Sequence, residues 1–343
     1  MEKAANDIVA ATEPRIEHAV ASDREELLAF LLEVFRRNNP KHAPFEEIYP
    51  DLFLPNDEVM GRHAIIRDEG RIVSCVGAYP ITVQVGSCRV ESVGIGQVST
   101  ALDHLGRGYM TALLRHQLER AKRDGAVVAW LGGRRDRYSH FGFDNAGFAF
   151  EHGIDAHSLG KVDVVRDVSH RPATDEGAVT EEMFAIREGN GQTVIEPLDI
   201  YRLQLSRVGF TLEVWTAAMD DGHPDAWALF DSSRRRILEW CGSFDGRLAI
   251  LSAMCKEGSA WRIETRGDER MLSFLREHCH WCGPTVATLA VLDAPGLLKA
   301  LAPFVPEGFT PVAKEGPALA RELFGPGPGS AHLPFYVPPL FHI

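Results

Sequence analysis

Residues 98 to 111, VSTALDHLGRGYMT, read as a strand, a basic glycine turn and a helix in immediate succession. Gly106 and Gly108 let a backbone curl against a ligand with no Cβ in the way, and Arg107 adds a mobile cation between them. The helix that follows offers unpaired N–H groups and a partial positive charge, so the layout suits an anion such as a pyrophosphate. A second group of chemical interest is Tyr138, a phenol that stays protonated at neutral pH and can act as an acid; the competing reading is a packing aromatic with a bonded hydroxyl. Residues 279 to 282 read CHWC, with His278 adjoining and His280 inside. A structural zinc site needs four ligands, and no second CxxC or paired-His element accompanies this one, so no metal is expected.

The elements that must position these groups follow from periodicity. RIEHAVA reads as a short strand, and Ser22 or Asp23 can cap a helix to about Arg37 with Leu27, Phe30, Leu31, Val34 and Phe35 on one face. From Val59 to Thr100 the pattern becomes an antiparallel meander, with turns at Glu69-Gly70 and Gly86-Ser87. The helix after the glycine turn spans about Met110 to Arg123, carries Leu113, Leu114, Gln117, Leu118 and Ala121 as one stripe, and ends at Asp124-Gly125. A buried strand AVVAWLGG, polar RRDRY, SHFGF and a closing strand FAFEHGIDA complete this part. Beyond a polar passage, KVDVVRDVSHRPATDEGA, read as linker or edge, come the candidate strands TLEVWTAAM, AWALFD, RRILEWCGS, LAILSAMCK and AWRIETRG, then the helix RMLSFLREHC. A strand TVATLAVLD, a helix from Pro295 to Phe304 and a Pro-rich aromatic tail that should pack back on the body end the chain.

At 343 residues the chain exceeds what one core usually serves, so two or more domains are expected. A formal net charge of −12 argues against a general nucleic-acid or anionic-membrane surface and favours a cationic or neutral substrate. The six cysteines are scattered and no signal-peptide pattern opens the sequence, which leads us to expect a cytoplasmic protein with free thiols. No apolar run approaches the roughly 18 residues that cross a membrane.

Four strands, a glycine turn, a helix, a strand, and then Tyr138, Phe141, Gly142 and Phe143 form an ordered series. It resembles the GCN5-related N-acetyltransferase (GNAT) superfamily over residues 15 to about 155. The superfamily motif, R/Q-x-x-G-x-G/A, falls on Leu105 to Met110, where the central glycine is kept and the first and last positions depart. GRGYM followed by Tyr-x-x-Phe-Gly-Phe is similar to the branch of the mycobacterial enhanced intracellular survival acetyltransferases.

The resemblance implies an α/β (α+β) fold: a GNAT-type mixed sheet flanked by helices, with a second, degenerate GNAT-like domain and a short C-terminal segment. The divisions would be a flexible tail at 1–14, the acetyltransferase domain at 15–155, the degenerate domain at 156–284, where no glycine turn precedes a helix and hence no second cofactor site is expected, and 285–343 as a C-terminal segment resembling a truncated sterol-carrier-like piece. It implies acetyl-CoA as co-substrate and no metal. Backbone groups of Val98 and Thr100, with Ser99 between them, would bond the pantetheine arm. Gly106, Arg107, Gly108, Tyr109, Met110 and Thr111 would wrap the pyrophosphate, the strand Ala126 to Leu131 would splay to open a slot, and Gly133 and Arg134 would adjoin the cofactor. Tyr138 would be the general acid for the CoA thiolate, and the C-terminal carboxylate of Ile343 would reach the active site. The acceptor would be a small-molecule or lysine-type amine; neither nucleic acid nor membrane is implied, and a homo-oligomer is compatible. The alternative is a protein that binds acyl-CoA or an apolar ligand without transferring anything.

Overall fold

The computed structural model describes residues 14–160, 164, 166–190, 192–256, 261–265, 269–325, 329–335 and 337. The sheet opens with β1 (Glu17–His18), followed by α1 (Arg24–Arg36) and two single-turn helices, α2 (Phe45–Ile48) and α3 (Asp57–Met60). The meander is β2 (His63–Asp68), β3 (Arg71–Val85) and β4 (Cys88–Thr100), turned by Glu69 and Gly70 at φ 49° and 81° and by Gly86 at φ 58°. Then come α4 (Tyr109–Arg123), β5 (Val128–Leu131), α5 (Arg135–Tyr138) and β6 (Asp144–Ile154). The stripe Leu113, Leu114, Leu118 and Ala121 of α4 is buried on one sheet face against Val76, Val93, Ile95, Ala129 and Leu131. Each buried leucine stabilises this contact by roughly 1.5–3 kcal/mol. Leu27, Phe30 and Leu31 of α1 cover the other face with Ile65, Ile72 and Cys75.

The second half contains α6 (Ala156–Leu159), β7 (Asp167–Pro172), α7 (Glu181–Glu188), β8 (Gln192–Ile195) and α8 (Leu198–Gln204). It continues with β9 (Leu212–Ala218), β10 (Pro224–Asp231), β11 (Arg236–Gly242), α9 (Phe244–Lys256), β12 (Trp261–Thr265), α10 (Glu269–His278) and β13 (Trp281–Val291). Last come α11 (Ala294–Ala300) and α12 (Gly316–Phe324), after which Leu333, Phe335 and Val337 are buried in the same core as Leu323 and Phe324.

One sheet runs through both halves, in the order β1-β2-β3-β4-β5-β13-β6-β12-β11-β10-β9-β7, with β8 added to β3. The fold is thus the mixed α/β class, and its two halves repeat a theme. β4 and β5 are parallel and joined through α4; β11 and β12 are parallel and joined through α9. The closing strands are exchanged: β13 pairs with β5, while β6 pairs with β12, and the two closing strands pair with each other. β13 therefore runs through the 284/285 division and draws the chain after it back onto the first half.

LAILSAMCK, expected as a strand, is the body of α9. Leu248, Ala249, Ile250, Leu251, Met254 and Cys255 are all buried, so this helix is apolar on most sides and shows no 3.6-residue alternation to betray it. A glycine does precede it, since Gly242 sits at φ 100°. The start of α9 is nonetheless filled by its own chain: Ser243 Oγ accepts the Gly246 N–H at 2.8 Å and donates to Asp225 Oδ2 at 2.7 Å. A capped helix start with a carboxylate beside it repels an anion. The polar passage before residue 180 contains the edge strand β7, paired only with β9 among the described strands. Among the described residues no helix is long and apolar enough to cross a membrane.

Candidate active site

The glycine turn lies where β4 hands over to α4. Gly106 and Gly108 are both at φ 78°, and a Cβ on either would meet nothing within 4 Å, so the glycines serve the backbone conformation and leave open space above it. Gly108 is the N-cap of α4 and supplies no side chain to the helix start. The first helical bond is Ala112 N–H to the Gly108 carbonyl at 3.0 Å, which leaves the N–H groups of Tyr109, Met110 and Thr111 for a ligand. The turn is anchored by His104, whose ring is held by Asp68 Oδ2 and Asp103 Oδ1, each at 2.8 Å. Those two carboxylates, Asp68 first, raise the His104 pKa above the ordinary imidazole value. Arg107 is exposed and lies 3.7 Å from Asp68. Replacing Gly108 with Ala forces a side chain into the left-handed region at about 1–2 kcal/mol and puts a methyl group over the anion site. We expect CoA to bind about tenfold more weakly to that variant, measured by calorimetric titration, with the melting temperature lowered by a few degrees.

β5 pairs with β4 only over Ser92 to Ile95 and ends at Leu131, so β4 beyond Ile95 has a free edge on that side. Backbone groups alternate along a strand, and Ala101 N–H bonds to the Val73 carbonyl at 2.8 Å. Ser99 is consequently turned toward β3, where its carbonyl accepts the Ser74 hydroxyl at 2.8 Å, and Val98 and Thr100 present their backbone to the free edge. Ser99 thus turns its backbone to β3, and the backbone of Val98 and Thr100 faces the other side.

A feature missed in the sequence sits in the same strand. Cys75 pairs with Ser99 but Gly77 with Gly96, so Val76 opposes both Gln97 and Val98, and Gln97 takes φ 49°. This β-bulge re-aims the strand at the mouth of the slot. Gly77 makes room for the Tyr79 ring: a Cβ there would lie 2.2 Å from the Tyr79 hydroxyl oxygen. That hydroxyl sits between His63 Nε2, 2.8 Å away, and the Gln97 amide. The strand glycines Gly94 and Gly96 were the available signal, because glycine inside a strand marks a bulge or a close approach.

His63 is fully buried, its Nδ1–H donates to the Met60 carbonyl at 3.0 Å, and burial lowers its pKa to about 4. The unfolded chain takes up this proton near pH 6.5 and the folded chain only near 4, so folding is progressively penalised as pH falls between them. Below pH 4 the penalty reaches about 3 kcal/mol. Urea unfolding across this range should show an acid-side slope that is shallower in His63→Gln than in the wild type, the remainder coming from His18, His116 and His152, whose pKa values burial also lowers.

Tyr138 ends α5 and is buried beside Phe143, ring centroids 6.3 Å apart at 69°. Burial pushes its pKa above the ordinary phenol value, with Arg137 opposing. It lies in the cluster with Leu113, Leu114, Ala129 and Leu131, on the α4 face near the end of β5. Gly133 is needed for this placement, since a Cβ there would stand 2.6 Å from Tyr138 Cε2. Arg134 is exposed and paired with Asp136 at 3.0 and 2.7 Å; Arg135 is bound to the buried Asp144, which also receives Arg321. Ile343 lies outside the described residues.

On the opposite face a cleft of about 490 Å³ opens between the halves, lined by Tyr79, Pro80, Trp130, Glu91 and Arg62 from the first and by Glu196, Ile200, Gln204 and Arg207 from the second. Asp51 closes it from the first half through a buried pair with Arg207 at 2.8 and 3.0 Å. Sequence reasoning found none of Asp51, Glu196 and Arg207. Among the described residues no group of three or more His, Cys, Asp or Glu side chains could hold a metal ion; Cys279 is half-buried and Cys282 exposed.

A two-helix-flanked mixed sheet with parallel strands parting over a glycine-capped helix defines the acetyltransferase fold of the GNAT type. Residues 15–146 match the family model described as an acetyltransferase (GNAT) domain. No curated protein matches the sequence. Solved structures share the fold at low identity. A GCN5-related N-acetyltransferase from Kribbella flavida superimposes with a TM-score of 0.63 at 18% identity, over 88% of this chain and 76% of that one. A probable N-acyltransferase from Enterococcus faecalis gives 0.65 at 13%, over 84% and 75%. Eis1 from Mycobacterium abscessus gives 0.61 at 18%, over 84% and 76%.

Proposed function

We propose that the protein transfers an acetyl group from acetyl-CoA to a primary amine by direct attack, as an enzyme of the Eis-like branch. The observation that carries this reading is the alignment of three features along one strand. The glycine-capped start of α4, the free backbone of Val98 and Thr100, and the bulge at Gln97 lie in series on or directly after β4. An extended thioester laid along that edge has its pyrophosphate at Gly106–Thr111 and its acetyl end near the bulge. Tyr138, next to the end of β5, gives its proton to the departing CoA sulfur, a role helped by the raised pKa that burial imposes. The acceptor enters from the other face, through the cleft that Tyr79 and Trp130 border. The Ile343 carboxylate is a further group proposed to reach this site.

The test is CoA thiol release from acetyl-CoA against lysine peptides, alkyl diamines and amino sugars, with mass analysis of the acetylated amine. Turnover with at least one class is expected. CoA binding without turnover on any amine would favour a ligand-binding protein, and absence of CoA binding would overturn the reading altogether.

A further inference from the structure

We propose that Glu196 is the carboxylate that receives the acceptor's ammonium in the cleft and takes its proton before the nitrogen attacks the thioester. The inference rests on the acetyl-transfer reading and assigns to it a residue from the second half of the chain. Position comes from β8: Ile195 pairs with Thr82 of β3, and Glu196 follows directly, beside the strand that carries Tyr79 and within the same cleft. Thr82 in turn pairs with Glu91, so at roughly 4.8 Å per strand Glu196 lies about two strand spacings from β4 at Glu91 and Ser92, from where the cleft runs on toward Tyr79.

Glu196 shares its cation with a second carboxylate. Asp51, Glu196 and Glu239 form ion pairs with Arg187 and Arg207, and Arg62, Glu58 and Glu91 line the same cleft. Arg207 is committed to Asp51 through two contacts at 2.8 and 3.0 Å, and Arg187 makes its shorter contact, 2.9 Å, with Glu239. Glu196 keeps a 3.2 Å contact with Arg187 and accepts the Gln204 amide N–H at 2.7 Å. Gln204 is itself buried, and its amide oxygen accepts no hydrogen bond among the described residues, so the pair offers an N–H donor both a carboxylate and a vacant acceptor. Burial pushes Glu196 up to about 8, Arg187 opposing, which suits a group that must gain and lose a proton near neutrality.

The step balances. The ammonium gives one proton to Glu196, which releases it to solvent; the neutral nitrogen forms the C–N bond as the C–S bond breaks. The nitrogen's second proton replaces the one that Tyr138 gives to the CoA sulfur.

The experiment is the pH profile of kcat/KM for wild type and Glu196→Gln, using the fastest amine of the panel above. Wild type should show an acid limb set by the enzyme. In Glu196→Gln we expect kcat/KM at pH 7 to fall about 100-fold, with unchanged CoA affinity and the acid limb moved up to the amine's own pKa. A variant rate within about threefold of wild type, with the limb in place, overturns the inference while leaving acetyl transfer intact. No turnover by the wild type overturns the underlying reading instead. Should Glu196→Gln not fold, Gln204→Met removes the hydrogen bond that favours the charged carboxylate, and the limb should move to higher pH; an unmoved limb overturns the inference.

Discussion

Tyr138→Phe should lower kcat about 100-fold or more while acetyl-CoA binds as before. The change keeps the ring that packs on Phe143 and under Gly133, so the fold has no reason to suffer. What it removes is the proton that, in the proposed mechanism, Tyr138 gives to the leaving sulfur. A phenol whose pKa is raised by burial is protonated across the neutral range, so the loss should appear in kcat at every pH from 6 to 9 rather than as a displaced limb. Gly133→Ala makes the complementary case. Its Cβ would meet Tyr138 Cε2 at 2.6 Å and must push the ring aside, so it should lower kcat with the hydroxyl still present. Retention of the wild-type rate by Tyr138→Phe would show that the thiolate leaves without this acid.

The largest effect on stability is expected at Arg187. Its side chain is wholly buried, and its guanidinium donates to Glu239 at 2.9 Å, to the Val194 carbonyl at 2.9 Å and to Glu196 at 3.2 Å, over the Tyr201 ring. Arg187→Met strands the Glu239 carboxylate, which among the described residues otherwise has the hydroxyls of Thr193 and Tyr201. Leaving one member of a buried pair costs about 3–5 kcal/mol, against a total of roughly 5–15 for a folded domain. The urea midpoint should fall accordingly. Removing the partner as well, in Arg187→Met with Glu239→Leu, should recover most of the loss, because two apolar groups need no compensation. A lysine at 187 should recover little, since one ammonium cannot span three acceptors in a plane.

These two sites differ in how far the sequence disclosed them. Tyr138 was legible because it follows the glycine turn at a fixed interval along one continuous path of strand, helix and strand. The turn itself was legible for a local reason: Gly106 and Gly108 both adopt φ 78°, which favours glycine, and α4 begins one residue from where its apolar stripe indicates. Arg187, Glu196 and Glu239 carried no such mark, because each is a single charged residue in a stretch whose neighbours look ordinary.

The helix α9 was read as a strand for the opposite reason: burial on most sides erased the alternation by which a helix announces itself. The bulge at Gln97 depends on register between β3 and β4, and register is a property of two strands together. The exchange of β6 and β13 joins residues more than a hundred positions apart, and the Asp51–Arg207 pair closes across 156.

By itself, then, the amino-acid order determined the local events: where α4 starts, which face it buries, which strands form the meander, and that a glycine turn precedes a tyrosine. Those events are governed by backbone torsions and by periods of two or three to four residues, all contained within short windows. Only the tertiary structure decided that the second half lends a strand to the first half's sheet and a carboxylate to its cleft. A buried charge becomes tolerable, and chemically useful, only when partners from distant elements surround it.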